Sequence, residues 1–347
     1  MVRGSNGMSG SPVCFSRALR GFVVLNINLV TRTGLLIRMP VQAQAYRIGG
    51  AEQYPMVVRK RYKLSSGVER EIEVPYIPGS SLKGRMRGLL ELSLNTKLYS
   101  TDQKIWQHVR NLSAMGLTDF ERDVNSRCVI DELFGYAAVN YKQLIDEFKK
   151  MNKGVINEDV INKANNEDVI NKANNEDVIN KANNVFSKLA ITRLLVDDFF
   201  PSVNYVEKID AKSVVDFIEE KPENRIDRIT SAADPRDIVR VKPGVEFEGR
   251  LTLLLMDNDN DYVKKYLETL TTGLKLIEET YLGGSGSRGY GRVKFTSIGV
   301  KVLKISIEDN YVPKLKSTDI DEKYESLDNL EKNLEKLSGA IVKALYS

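Results

Sequence analysis

Cysteine and histidine are nearly missing from this chain of 347 residues, which has two of the first and one of the second. Cys14 and Cys128 are too few for a disulfide framework or a cysteine-rich zinc site. A lone His108 excludes His-rich metal centres and any pair of histidines sharing acid and base roles. No apolar run approaches the twenty or so residues that cross a bilayer. The opening MVRGSNGMSGSPVCFSRALRG has basic residues but no continuous apolar core, so it does not read as a secretory signal. Residues 1–20 are expected to be a loose extension, with Met8 an alternative start, and the cytoplasm is the expected location. G-x-S-x-G, H-E-x-x-H and a Cys–His pair are also absent. Acidic side chains are left as the candidates for catalysis, by proton transfer or through a bound metal.

What is present is an ordinary globular composition, 42% hydrophobic and 28% charged, which excludes wholesale disorder and fibrous repeats. Fifty-one Lys and Arg against 47 Asp and Glu leave a net charge of only +4. The charges are clustered, however. Arg59-Lys60-Arg61-Tyr62-Lys63 packs four cations into five positions, Lys83, Arg85 and Arg87 follow, and acids gather at 257–261, at 278–279 and along the C-terminal tail. Such segregation predicts a local positive surface on a nearly neutral protein.

Residues 22–37 are rich in Val, Ile and Thr and predict a strand or strand pair. After the turn Pro75–Ser81, Leu82, Met86, Leu89, Leu90 and Leu94 recur at helical spacing. They predict a helix near 81–95 with Ser80 or Ser81 as N-cap and with Lys83 and Arg87 on its other face. Residues 101–188 read as an inserted, mainly helical region. It holds three identical copies of NEDVINKAN at 157–183, each with too little to bury for a core, and these are read as a tandem expansion within a surface loop. Strands are expected at 189–196 and 238–255, an amphipathic helix over 261–281, and a strand over 292–307. Residues 308–347 carry Leu327, Leu330, Leu334, Leu337, Ile341 and Leu345 at near-heptad spacing and are expected to form a C-terminal amphipathic helix.

Two motifs fail on context. Asp257–Asp261 imitates a calcium loop, but Tyr262 stands where the loop needs Gly, so a turn with an acidic helix start is the better reading. Gly284-Ser285-Gly286-Ser287-Arg288-Gly289 spells the dinucleotide fingerprint, yet the fingerprint requires strand before helix, and here the helix comes first. What remains is the loop Gly283–Gly291, with five glycines, two serines and an Arg, able to admit a phosphate chain close to its backbone. Pro78–Arg87 (PGSSLKGRMR) likewise pairs a Gly turn and two hydroxyls with three cations, a phosphate-binding combination. Together they read as a site gripping an RNA or DNA backbone. His108, beside Trp106, is read as a packing or surface residue in a helix.

Ile77–Arg87 (IPGSSLKGRMR), Glu223–Ile229 (ENRIDRI), Asp234-Pro235-Arg236 and Tyr281–Val293 (YLGGSGSRGYGRV) resemble one family in order and spacing. It is the RAMP-type backbone subunit of type III-A CRISPR effector complexes, the Csm kind; Leu133-Phe134-Gly135 and Phe199-Phe200-Pro201 are similar to that family too. The resemblance runs over about 20–300. It implies an α+β, ferredoxin-like (RRM-like) core with large insertions. It also implies partners: a CRISPR RNA, complementary target RNA, further copies of the same chain and other complex subunits, with no membrane. Target RNA would be cut at regular intervals with a divalent metal, Mg²⁺ or Mn²⁺. Residues 225–246 would resemble the hairpin thumb that interrupts the guide–target duplex. The RNA-binding residues implied or read are Arg47, Arg59, Lys60, Arg61, Ser80, Ser81, Lys83, Arg85, Arg87, Gly284, Ser285, Gly286, Ser287 and Arg288. The family's catalytic aspartate matches Glu52, in Ile48-Gly49-Gly50-Ala51-Glu52, and its nearby His matches Arg47. An extra methylene moves the carboxylate by more than an ångström, a displacement that can cost about a hundredfold in rate. Two alternatives therefore stand: Glu52 supports cleavage, or the chain is a non-catalytic scaffold. A metal-free RNA-processing enzyme is a more distant reading, because it would need a histidine inside the motifs.

Overall fold

Alternation builds the first strand, β1 (Leu19–Thr31): Val23, Leu25, Ile27 and Leu29 are fully buried while Asn26 is exposed and Asn28 half-exposed between them. The structure is a computed structural model and describes residues 17–40, 53–100, 102–108, 111–135, 139–155, 167–189, 191–308 and 312–347. It divides into two units, one of residues 19–95 with 193–347, the other of residues up to 18 with 96–192.

The first unit is a mixed α/β body. β1 is followed by the hairpin β2 (Val57–Lys63) and β3 (Glu69–Pro75), then α1 (Gly79–Ser93). The second unit intervenes with α2 (Leu112–Met115), α3 (Leu117–Ser126), α4 (Val129–Phe134), α5 (Tyr141–Val155) and α6 (Glu167–Ser187). The first resumes with β4 (Leu194–Val196), β5 (Phe200–Pro201), α7 (Val203–Lys208) and the hairpin β6 (Ile218–Ile226) and β7 (Ala233–Val241). β8 (Glu246–Met256), α8 (Val263–Glu279), β9 (Val293–Glu308), β10 (Val312–Tyr324) and α9 (Leu327–Tyr346) complete it. The main sheet is antiparallel in the order β10-β9-β1-β8-β4, with β5 also on β8, and β2–β3 and β6–β7 stand as separate ribbons.

Burial explains the helices. α8 buries Val263, Tyr266, Leu267, Leu270, Leu274 and Ile277, and α9 buries the leucines and Ile341 of its predicted seam. α1 crosses α8 at Gly273, where an added Cβ would stand 2.4 Å from Met86. Each fully buried Leu or Met there contributes about 1.5–3 kcal/mol. Beneath them Arg193 and Asp259 form a bidentate pair at 2.9 Å with side chains 1% and 0% exposed. The acid that imitated a calcium ligand thus anchors β4 to the start of α8.

Four expectations need correction. Residues 308–347 are not one helix: β10 precedes α9, an edge strand whose outward side chains are mostly polar and which therefore lacks an apolar signature. Leu94 is 56% exposed and closes α1 rather than joining its buried face. The repeats are not a bare loop. Much of the second copy and all of the third lie in α6, where Val178 and Ala182 join a core with Phe120, Val124, Leu144, Phe148 and Val185. The first copy, at 157–165, lies outside the described residues. Residues 102–108, finally, are not helical; Gln107 pairs with Tyr99 in a β-bridge.

Candidate functional site

α1 begins where the chain has no room for a side chain. A Cβ on Gly79 would meet the Val196 carbonyl at 2.2 Å, and the Gly79 N–H donates to Asp198 Oδ1 at 2.7 Å. The N-cap is Pro78, not a serine; Ser80 lies exposed and Ser81 half-buried within the first turn. The three cations of this helix go three ways. Lys83 Nζ donates to the Leu194 carbonyl at 2.8 Å, and burial, with Arg87 nearby, pushes its pKa down. Arg87 pairs with the buried Glu91 at 2.7 Å. Arg85 donates to the Tyr281 carbonyl at 3.0 Å and lays its guanidinium 4.1 Å over the Tyr281 ring. Of the three only Arg85 reaches the glycine-rich loop, and it joins the two motifs that lie about 200 residues apart.

The loop is built by close approaches. A Cβ on Gly286 would stand 2.1 Å from the Tyr281 ring, and one on Gly291 would stand 2.0 Å from the Leu282 carbonyl. Gly291 also needs its positive φ of 75°. Ser285 is left-handed and leads into a short 3-10 turn over Gly286–Arg288, a left-then-right backbone sequence of the kind that forms anion-binding nests. The segment after β1 runs alongside: Gly291 N–H donates to Gly34 O at 2.9 Å and Gly284 N–H to Leu36 O at 2.8 Å. On its other edge, Met56 N–H donates to Ile37 O and Met39 N–H to Tyr54 O, while Val239 of β7 donates to Gln53 O. The base of the β6–β7 ribbon, the glycine-rich loop and the residues just after Glu52 thus share one framework. Glu52 and Arg47 themselves lie outside the described residues.

Glu223 of β6 clamps the ribbon to the loop. It accepts from Tyr290 Oη at 2.6 Å, pairs with Lys221 at 3.1 Å and faces Arg288 at 3.8 Å. The Tyr290 hydrogen bond holds the Glu223 pKa below its ordinary value against burial, with help from Lys221 and Arg288. Burial and the Glu223 carboxylate push the Tyr290 hydroxyl up to about 12. Lys221 and Arg240 flank the Tyr290 ring at 4.4 and 4.7 Å.

In the basic run of β2, the cations of one face stand opposite acids of β3. Register sets Arg59 opposite Glu73, Arg61 opposite Glu71 and Lys63 opposite Glu69, and Arg61 lies 3.4 Å from Glu71. Lys60 points the other way, its Nζ 3.8 Å over the Phe200 ring, and burial lowers its pKa against the pull of Glu248. Tyr281, Tyr290 and Glu223 join the site, although the sequence marks them only as members of the motif strings and not as binding residues. The two tyrosines were legible in principle, since they bracket the glycines in YLGGSGSRGYG.

The helical unit holds a separate cluster, which corrects the expected absence of a Cys–His pair: the two residues, 20 apart in sequence, meet only in the fold. His108 is buried, with Nε2 at 3.3 Å from Cys128 Sγ, 3.6 Å from Asp131 and 3.8 Å from Asp123. Burial works against its charge, but hydrogen bonds to Asp131, Cys128 and the Lys97 carbonyl outweigh it and raise the pKa to about 11. The donor atoms of His108, Cys128 and Asp131 lie within 4.8 Å of one another and could hold a metal ion. A nitrogen–sulfur–oxygen set suits a borderline ion such as Zn²⁺. It does not fit Mg²⁺, which takes oxygen ligands.

The family model described as the RAMP superfamily matches residues 46–294, and the chain belongs to that superfamily. Within it, the chain is 32% identical over 279 residues to the CRISPR system Cms endoribonuclease Csm3 of Methanothermobacter thermautotrophicus, covering 80% of this chain and 85% of that one. It is 34% identical over 225 residues to the protein of the same name from Streptococcus thermophilus, covering 65% and 70%. Among solved structures, a Methanopyrus kandleri Csm3 crystal structure aligns over 92% of this chain and 98% of its own, with TM-score 0.48 and 16% identity. Among the described residues, no helix is long and apolar enough to cross a membrane.

Proposed function

We propose that this chain is a guide-RNA-binding backbone subunit of a type III-A CRISPR effector complex that cuts complementary target RNA at regular intervals. The observation that carries the reading is identity to an endoribonuclease Csm3 over four-fifths of the chain. The contact of Arg85 with Tyr281, which brings PGSSLKGRMR and the glycine-rich loop together, supports it. The core is read as ferredoxin-like, with residues of about 101–188 inserted into it, and the complex as cytoplasmic. Ser285, Gly286, Ser287 and Arg288, with Arg85, grip the guide backbone, giving salt-sensitive binding with little base preference. Ser80 is exposed at the start of α1 and is available to the same strand.

Glu52 is the proposed catalytic carboxylate, with Arg47 pairing to a phosphate. The reaction is attack by an RNA 2′-hydroxyl on its adjacent phosphate, which expels the 5′-oxygen of the next nucleotide. A divalent ion, Mg²⁺ or Mn²⁺, supplies charge neutralisation at the phosphate when bound. The cluster at His108 does not fit that role, and no step runs through it. The substitution of Glu for Asp favours one competing reading, a scaffold that binds without cutting. The experiment is cleavage of guide-complementary RNA by the reconstituted complex, wild type against Glu52→Ala, with Mg²⁺ and with EDTA. Evenly spaced products that need metal and vanish in the variant are expected. Tight binding of an intact target would establish the scaffold.

A further inference from the structure

Most cations around the glycine-rich loop are already committed. Lys83 is tied to a carbonyl, Arg87 to Glu91, Arg240 to Glu219 and Lys221 to Glu223, while Arg288 leans toward Glu223. Arg38 is different. It is exposed, and among the described residues its guanidinium makes no hydrogen bond or ion pair. Its backbone is fixed from both sides: Leu36 O holds Gly284 N–H, and Arg38 forms a β-bridge with Pro55. Its head lies beside the loop, Nε 3.7 Å and Nη2 4.0 Å from the point where a Cβ on Gly284 would stand. The missing side chain leaves space there, walled by the glycine backbone on one side and a planar cation on the other.

We propose that Arg38 is a backbone-binding residue of the RNA site, gripping a phosphate of single-stranded RNA laid against Gly284. This rests on the reading of the chain as an RNA-binding subunit and adds a residue to that site. A guanidinium suits the role because its fork of donors matches phosphate oxygens two at a time, whereas a lysine offers the charge alone. Arg38 also stands on the one strand of chain lying between the glycine-rich loop and the residues that follow Glu52. The contact is to a phosphate, so it carries no base preference.

The test uses the full chain and fluorophore-labelled single-stranded RNA, oligo-U and oligo-A, with anisotropy titrations across a salt series. Arg38→Ala is expected to weaken both RNAs alike, by about tenfold at moderate salt, and to lower the slope of log K against log salt by about 0.7, the share of one phosphate. Arg38→Lys is expected to keep the wild-type slope while recovering only part of the affinity. Lys301→Ala, a surface cation of β9 paired with Asp321, is the charge-matched control and should change nothing. Wild-type affinity and slope in Arg38→Ala, beside a wild type that binds, would overturn the proposal alone. A wild type that binds neither RNA would overturn the RNA-binding reading and this proposal with it.

Discussion

The clamp between Tyr290 and Glu223 joins the β6–β7 ribbon to the glycine-rich loop, and its strength can be worked out from its geometry. Tyr290→Phe keeps the buried ring between Lys221 and Arg240 but deletes the hydroxyl that donates to Glu223 at 2.6 Å. A hydrogen bond to a charged group contributes about 1.5–3 kcal/mol, and the Glu223 side chain is only 19% exposed. At about 2 kcal/mol, Tm should fall by roughly 4–8 °C for a domain of this size. A double-mutant cycle with Glu223→Gln, read by urea unfolding, should return a coupling of about 1–2 kcal/mol. The cycle should also depend on pH in a set direction. Because the Glu223 pKa is depressed in the fold, its contribution is complete above the unfolded value of about 4.3 and is lost as pH falls through the lower folded value. Because the Tyr290 pKa is raised to about 12, its contribution holds below the unfolded value and is lost as pH rises toward 12. Stability of Tyr290→Phe within about 0.5 kcal/mol of wild type at neutral pH would refute this account. A deficit that persists unchanged as pH falls from neutral to well below about 4.3 would refute it too.

Two further substitutions separate binding from folding. Gly286→Ala puts a Cβ 2.1 Å from the Tyr281 ring, displacing the platform on which Arg85 rests; RNA affinity should fall about fivefold, measured by anisotropy, while the urea midpoint barely moves. Arg193→Met leaves Asp259 buried without its bidentate partner; unfolding by urea should show a loss of about 3–5 kcal/mol, and adding Asp259→Asn should restore part of it.

The sequence was readable where one face of an element is buried and the other is not. β1, α8 and α9 announce themselves through alternation or helical spacing, and the glycine-rich loop through a density of glycines that a plain turn does not need. β10 was not readable. It sits at a sheet edge with VPKLKSTDIDEKY largely facing water, so no apolar period marks it. The run Arg59–Lys63 misled for another reason. Arg59, Arg61 and Lys63 stand opposite Glu73, Glu71 and Glu69, and only the register of the hairpin reveals that these meet. Lys83 and Arg87 misled because a helix face facing away from the core can still be covered by another strand or a neighbouring acid. Arg38 carries no local signature at all. Its position depends on a chain segment bridging the residues around Tyr54 and the glycine-rich loop around Gly284, which are far apart along the chain. The cluster at His108 was missed because Cys128 and Asp131 gain meaning only once the helical unit folds them against the imidazole.

The helix that carries most of the second NEDVINKAN copy and all of the third has a consequence for how such a gene can change. A nine-residue unit is about two and a half turns and adds about 13.5 Å of length. Equivalent residues of neighbouring copies therefore fall on opposite sides of the rod. Among the described side chains, Val178 and Ala182 of the last copy are in phase with Phe120, Leu144 and Phe148. Copies gained or lost upstream by replication slippage leave that phase untouched. A slip between the last copy and Val185 would rotate the buried stripe into water. Variation in copy number across strains should accordingly be confined to the N-terminal end of the array, with the final unit constant in both sequence and spacing.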